Sequence, residues 1–357
     1  MQNQINTIIP AVRMMLSGGS LKNVTFYAEG EKPAAVAETI VVENSEQLLT
    51  ELSEKIKSAG KPVEAITIKG FGTLVVSDFP KGNGRAEQRI AIVTGGAQGF
   101  GAGIVEHLMQ NGASVVVADL NEEKGQEFVD ELNAVQRNNK ALFVKTNVAD
   151  AASVENLITE TVKAFGGLDL FISNAGILRA GSLDEMTLET FELMTKVNYS
   201  AYFLCAKYAS KVMKVQHQWK PDHFTDIIQI NSKSGLKGSN KNFAYAGGKF
   251  GGIGLTQSFA LELMPYKIKV NSVCPGNFFD GPLWADPETG LFVQYLRAGK
   301  VPGAKTIDDV KRFYEAQVPA GRGCTPLDVM RAVYYIIEQE YETGQAVPVT
   351  GGQNMLK

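Results

Sequence analysis

Ile90–Thr94, IAIVT, runs without a break into Gly95-Gly96-Ala97-Gln98-Gly99-Phe100-Gly101, and a helical pattern, GIVEHLMQNG, follows. A five-residue apolar run suits a parallel strand buried on both faces. A glycine turn between such a strand and a helix brings backbone N–H groups and a positive helix end to a pyrophosphate. Glycine spacing alone is weak; its place between strand and helix strengthens it. The same alternation then repeats. Ser114–Ala118 reads as a second strand ending at Asp119-Leu120, and helix Glu122–Val135 leads to strand Ala141–Lys145 and Asn147-Val148. Helix Ala152–Phe165 leads to strand Leu168–Ser173 and Asn174-Ala175-Gly176. Repeated β-α-β units require a parallel, doubly wound sheet with right-handed crossovers and helices on both faces. Ligands bind beyond the carboxyl ends of such strands, where Gly95, Asp119, Asn147 and Asn174 all fall.

Asp119 lies eighteen residues past Gly101. A carboxylate there accepts hydrogen bonds from ribose hydroxyls and repels a 2′-phosphate, which favours NAD over NADP. Between Thr94 and Gly103 there is no Arg or Lys to offset that repulsion. As a bland alternative, Asp119 is a helix cap.

The stretch Ile227–Thr256 carries the second half of the chemistry. An apolar run ends at Asn231-Ser232, a Gly/Asn/Lys-rich loop follows, and a helix opens near Tyr245 with Lys249 one turn on. An ammonium beside a phenol favours phenolate and draws the tyrosine pKa down from about 10, toward general acid–base use.

The 357-residue chain is 44% hydrophobic and 20% charged, with formal net charge −3 and no basic block. Nucleic-acid and anionic-membrane binding have no support in that balance. Cys205, Cys274 and Cys324 are widely spaced and read as reduced thiols of a cytoplasmic protein. His107, His217 and His223 form no metal-ligand spacing, so no metal is expected. The N-terminus is a poor signal peptide, and no apolar run approaches a membrane span.

Residues 1–88 differ in texture and are expected to form a small α/β appendage. Residues 1–35 read as irregular or weakly helical. Strands are expected at Thr39–Val42, Ala65–Lys69 and Thr73–Val76, with a helix over Ser45–Ala59 capped by Ser45. Phe79–Arg89 reads as a linker. AITIKGFGTLVV within this piece loosely resembles the end of a class II aldolase domain. The region has no histidine for metal-dependent aldolase chemistry, so a docking or oligomerisation role is the expectation.

Residues 89–357 resemble the short-chain dehydrogenase/reductase family. The matching motifs are TGGAQGFG, Asp119, NAG at Asn174–Gly176, Asn198, Ser232 thirteen residues before Tyr245, Tyr245-Ala-Gly-Gly-Lys249, and Pro275-Gly276. The resemblance implies a Rossmann-type fold and a homo-oligomer, dimer or tetramer. It implies NAD contacts from Gly95, Gln98, Gly99, Phe100, Gly101, Asp119, Leu120, Asn147, Val148, Asn174, Ala175, Gly176, Tyr245, Lys249, Pro275 and Gly276. By the same resemblance Tyr245 is the general base for alcohol oxidation and Lys249 lowers its pKa. Ser232 holds the substrate oxygen, and Asn198 supports a water-linked proton path to Lys249. Three departures stand out: Gly247-Gly248 where Ala-Ser is commoner, Asn147 where Asp is frequent, and no Thr directly after Pro275-Gly276.

IIQINSKSG, KFGGIGLTQSFALEL, QVPAGRGC and VTGGQNM resemble the polyol-phosphate branch of the family, in which NAD oxidises C2 of glucitol 6-phosphate to give fructose 6-phosphate. Asn277–Gln317 reads as a lid. A sugar phosphate needs cationic partners; Lys233, beside Ser232, is the first candidate, with Arg179 and Lys237 next and Lys241, Arg297, Lys300 and Arg322 behind them. Two alternatives remain at this point: a dehydrogenase of an unphosphorylated polyol or other secondary alcohol, and a non-catalytic NAD-binding regulator, which has no need of the full Ser232/Tyr245/Lys249 set.

Overall fold

Two sheets organise the chain. The computed structural model describes residues 2–31, 33, 39–135, 140–297 and 299–355. First come α1 (Gln2–Leu16), β1 (Lys22–Ala28), β2 (Thr39–Glu43), α2 (Leu48–Ser58), β3 (Ala65–Lys69) and β4 (Gly72–Asp78). The alternation follows: β5 (Ile90–Thr94), α3 (Gly99–Gln110), β6 (Ser114–Asp119), α4 (Glu122–Val135), β7 (Ala141–Lys145), α5 (Ala151–Phe165) and β8 (Leu170–Ser173). Helix α6 (Leu188–Thr195) passes through a π-helical turn, Lys196–Ser200, into α7 (Ala201–Trp219). Then come β9 (Thr225–Ile230), α8 (Phe243–Leu263), β10 (Ile268–Pro275), α9 (Pro282–Ala285), α10 (Leu291–Arg297), α11 (Ile307–Ala316), α12 (Pro326–Glu338) and β11 (Ala346–Val349).

The large sheet has the order β11-β10-β9-β8-β5-β6-β7, with every pairing parallel. Strand order reverses between β5 and β8, which opens a crevice at their carboxyl ends. Side-chain alternation divides the core. Ile90, Ile92, Val116 and Phe171 face α5 and α7, where Leu157, Ile158, Val212 and Met213 are buried. Ala91, Val93, Val115 and Ile172 face α3 and α12, where Leu108, Val333 and Ile336 are buried.

The small sheet has the order β1-β4-β3-β2. The opening stretch is more regular than expected: Ile5, Ile8, Ile9 and Val12 line one face of α1, buried against the α5/α7 side of the large sheet. That burial stabilises a helix whose interior Pro10 and polar start argue against it. Thr25 of β1 also donates to the Ala164 carbonyl of α5. Positions 32 and 34–35 of the same stretch lie outside the described residues. Helix α2 starts three residues later than expected, and Gln47 rather than Ser45 stands at its N-cap, without a side-chain cap bond.

Buried ion pairs gather at the amino ends of the strands, opposite the crevice. Arg13 makes a two-pronged contact with Asp169 at 2.9 and 2.8 Å, and both side chains are fully buried. His223 Nε2 lies 2.9 Å from the same carboxylate, and the Ile90 N–H donates to it at 2.9 Å. Asp226 pairs with Lys269 at 2.9 Å, and Arg89 approaches at 3.6 Å. Asn277–Gln317 builds its own small core of Phe279, Trp284, Phe292, Val301 and Val310, so this segment is a packed unit rather than an open loop.

Candidate active site

At the carboxyl end of β5, Gly95 has φ +61, and a Cβ there would come within 2.9 Å of Ala175 Cα. Glycine is therefore required by both conformation and contact. Gln98 precedes α3 without a side-chain cap bond, so the first N–H groups of the helix face the turn. Asp119 ends β6 with Oδ2 accepting from Ala97 N–H and Oδ1 from Asn121 N–H, both at 3.1 Å. Its carboxylate is aimed at the glycine turn. Leu120 beside it is 64% exposed, an apolar surface at the strand end. Uncapped helix donors, a fixed carboxylate and an adjoining apolar side chain fit a dinucleotide. Val148 is buried, and exposed Asn147 turns its side-chain oxygen onto Ala149 N–H at 3.0 Å.

Asn174 works inward. Its side-chain amide donates to the carbonyls of Thr94 and Gly95 at 2.9 and 3.0 Å, tying β8 to the glycine turn. Thr94, which spacing alone did not single out, accepts from Asn174 and Ala175 N–H at 3.0 and 3.1 Å. Exposed Gly176 continues this wall, and its Cβ would meet Asn198 Oδ1 at 2.9 Å. Asn198, buried in the π turn, exchanges both amide bonds with the Ile177 backbone at 3.0 and 2.9 Å. Its side chain thus clamps the strand end.

Ser232, Tyr245 and Lys249 converge where β9 meets α8. Ser232 Oγ accepts from Ser234 N–H at 3.1 Å and hydrogen-bonds the Tyr245 phenol. Lys249 is buried, donates to the Ile230 carbonyl at 2.9 Å, and stands 5.5 Å from the Tyr245 ring centroid. Burial pulls its pKa down to about 8. Burial pushes the Tyr245 phenol up, against the pull of the Ser232 bond. In the protein alone, desolvation of the phenolate dominates the net shift of Tyr245. Asn231 is a second residue that the motif reading missed. It joins Gln229, the Lys249 carbonyl and Ser232 N–H at 2.7, 2.9 and 2.8 Å, fixing α8 against β9.

Two departures now have different standings. A Cβ on Gly248 would come within 3.3 Å of Asn198 Cβ, so glycine lets α8 approach the π turn closely. Gly247 faces open space, and nothing in the structure requires glycine there. After Pro275, Gly276 N–H bonds the Val349 carbonyl at 2.9 Å, joining the end of β10 to β11. Phe278 stacks on Phe100 at 4.9 Å, which brings the start of the lid over the glycine turn.

The candidate phosphate residues separate. Lys233 is half-buried, its ammonium donates to Gln353 Oε1 at 3.1 Å, and burial lowers its pKa. Arg179 and Lys237 are exposed on the rim. Their loops are joined where Gly181 N–H meets the Lys241 carbonyl at 2.9 Å. Arg322 is paired with Asp328 at 2.6 Å, in keeping with a structural role. Among the described residues, no group of three or more His, Cys, Asp or Glu could hold a metal, and no helix is long and apolar enough to cross a membrane.

Residues 89–285 match the family model described as short chain dehydrogenase. Sorbitol-6-phosphate 2-dehydrogenase of Escherichia coli (strain K12) is 36% identical over 274 residues, covering 75% of this chain and 99% of that protein. An uncharacterized oxidoreductase of Thermotoga maritima is 32% identical, covering 75% of this chain and 97% of its own. Among solved structures, sorbitol-6-phosphate 2-dehydrogenase from Erwinia amylovora superposes with TM-score 0.68 at 38% identity, over 74% of this chain and 100% of that one. An actinorhodin polyketide ketoreductase with NADPH gives TM-score 0.66 at 27% identity, over 75% of this chain and 98% of its own.

Proposed function

Because the chain belongs to the short-chain dehydrogenase family, we propose that it oxidises a sugar-alcohol phosphate with NAD, D-glucitol 6-phosphate to D-fructose 6-phosphate. The family binds nicotinamide cofactors. The preference for NAD rests on Asp119, whose carboxylate is fixed toward the glycine turn and would face a 2′-phosphate with like charge. Bound along the β5/β8 crevice, the cofactor supplies the hydride acceptor. Ser232 Oγ holds the reacting oxygen, and Tyr245 takes the hydroxyl proton as C2 gives up its hydride. Lys249 stabilises the Tyr245 phenolate that accepts this proton and becomes the neutral phenol, and Asn198 holds the wall beneath it.

Lys233 carries the choice of a phosphorylated polyol. A half-buried ammonium directly beside the serine costs desolvation that an anionic substrate offsets. The likeness to sorbitol-6-phosphate 2-dehydrogenases points to the same substrate. For residues 1–88 we propose a docking role exercised on this chain's own dehydrogenase part, supported by the buried Arg13–Asp169 pair. Homo-oligomerisation and a cytoplasmic setting are proposed from the family likeness alone.

The test is NADH formation with glucitol 6-phosphate, glucitol and mannitol 1-phosphate side by side, repeated with NADP. Glucitol 6-phosphate should give the highest kcat/KM, with NAD preferred. Equal kcat/KM for glucitol and its phosphate would move the assignment to unphosphorylated alcohols, and NAD binding with no turnover on any alcohol would indicate a binding protein.

A further inference from the structure

The segment after β11 does not end at the sheet. Thr350 Oγ1 donates to the Asn354 carbonyl at 3.1 Å and accepts from Asn354 N–H at 3.3 Å, closing the segment into a turn. The turn reaches the loop after β9: Asn354 Nδ2 donates to the Lys233 carbonyl at 2.9 Å, and Lys233 Nζ donates to Gln353 Oε1 at 3.1 Å. Gln353 Oε1 also faces the bend after β10, lying 3.4 Å from where a Cβ on Gly276 would stand. On its other side, Ala320 N–H bonds the Gly351 carbonyl at 3.0 Å, and a Cβ on Gly351 would meet Val318 Cγ1 at 2.9 Å. The turn therefore joins the far end of the lid, the bend at Gly276 and the lysine beside Ser232.

We propose that Gln353 is a specificity-determining positioning residue, which holds the Lys233 ammonium beside Ser232 to receive the anionic group of a phosphorylated polyol. The proposal rests on the polyol-phosphate reading above. A neutral amide oxygen suits this task. It fixes one ammonium hydrogen without cancelling the charge, and leaves the other two donors for a phosphate. A carboxylate at the same position would fix the lysine equally well and neutralise it. Among the described residues Lys233 Nζ has no acidic partner, whereas Lys69, Lys145 and Lys311 are all paired with carboxylates. The tie to Val318–Ala320 adds that a displaced lid would pull on Gln353 and so on the lysine.

Glutamate is the informative substitution, because it preserves the hydrogen bond and changes only the charge. Wild type, Gln353→Ala, Gln353→Glu, Lys233→Ala and the Lys233→Ala/Gln353→Ala double variant are assayed with saturating NAD on glucitol 6-phosphate and on glucitol. Melting curves run in parallel. Gln353→Ala should raise KM for the phosphate about tenfold relative to the effect on glucitol. Gln353→Glu should raise it further, on the order of a hundredfold. The double variant should be no worse than Lys233→Ala alone. A purely structural brace gives another pattern: Glu restores the wild-type KM, or both substrates suffer equally, or the double variant is additive. Any of these overturns the proposal. Wild-type turnover of glucitol 6-phosphate is read first; its absence refutes the substrate reading and the pair's role together. Turnover with unaltered KM in every Gln353 variant refutes the pair's role alone.

Discussion

Tyr245 and Lys249 sit in opposition before any ligand is considered. Burial raises the phenol, and burial lowers the ammonium to about 8. Both shifts disfavour charge, as expected for two groups withdrawn from water. Lys249 is held by the Ile230 carbonyl, on the side away from bulk solvent. Oxidation requires phenolate, so its rate should rise with pH. As pH passes about 8 the Lys249 ammonium loses its proton and with it the stabilisation of the phenolate, so kcat/KM should fall again there, and this second limb should vanish in Lys249→Met, which keeps the chain length without the charge. Tyr245→Phe should lower kcat about 10²–10⁴-fold with an unchanged melting temperature, the usual span for a lost acid–base group. Retention of kcat within fivefold would remove Tyr245 from the proton path. That Ser232, Tyr245 and Lys249 come together was legible because spacing and motif order place them at the end of β9 and the start of α8. The direction of the tyrosine shift was not, since desolvation depends on tertiary burial that no local pattern records. Thr94 and Asn231 escaped for a related reason: hydroxyls and amides at strand ends are common, and only the fold shows what they join.

At the scale of elements, the strands and helices from β5 to α5 follow the sequence pattern closely, because buried parallel strands are written as continuous apolar runs. Helix α1 is the counterexample. Its apolar residues have helical spacing, but Pro10 and the polar first turn weigh against it until the α5/α7 face is present to bury Ile9 and Val12. The lid is intermediate. Its length suggested a cover, while its internal core became visible only through packing. Trp284 stands at the centre of that core, with ring centroids 5.0 Å from Phe279, 5.1 Å from Phe292 and 5.3 Å from Tyr314. Trp284→Ala should remove about 3–5 kcal/mol of packing from this segment. The neighbouring Phe278 stacks on Phe100, so loosening the lid should also weaken the cofactor end of the site. The expected outcome is a several-fold higher KM for NAD, with protease cleavage within 280–317 preceding global unfolding. Unchanged proteolysis would show that the aromatic cluster is not what holds the lid.

Across the whole molecule, the two sheets share one buried electrostatic joint. Asp169 belongs to the loop entering β8, Arg13 to the first helix and His223 to the loop entering β9. Burial alone would push the Asp169 carboxyl up; Arg13 and His223 outweigh it and hold it far below the ordinary carboxylate range. A carboxyl whose pKa is lowered on folding contributes stability that is complete above its unfolded value of about 4 and is lost as pH falls below that value. Removing Arg13 takes the guanidinium from a fully buried carboxylate and leaves it the His223 ring and the Ile90 N–H, which costs about 3–5 kcal/mol in comparable pairs. Arg13→Ala should therefore lower the denaturation midpoint strongly at pH 7. The difference from wild type should shrink as pH drops below about 4, where the wild-type protein itself surrenders the Asp169 contribution. Denaturant unfolding of both proteins from pH 3 to 8 provides the measurement. The loss should appear in probes of the large sheet as well as the small one, since Asp169 also receives the Ile90 N–H at the head of β5. If only the small sheet unfolds earlier while the large sheet keeps its wild-type midpoint, residues 1–88 are a tethered accessory. A single shared transition, shifted for both sheets, identifies the joint as the place where the appendage stabilises the dehydrogenase.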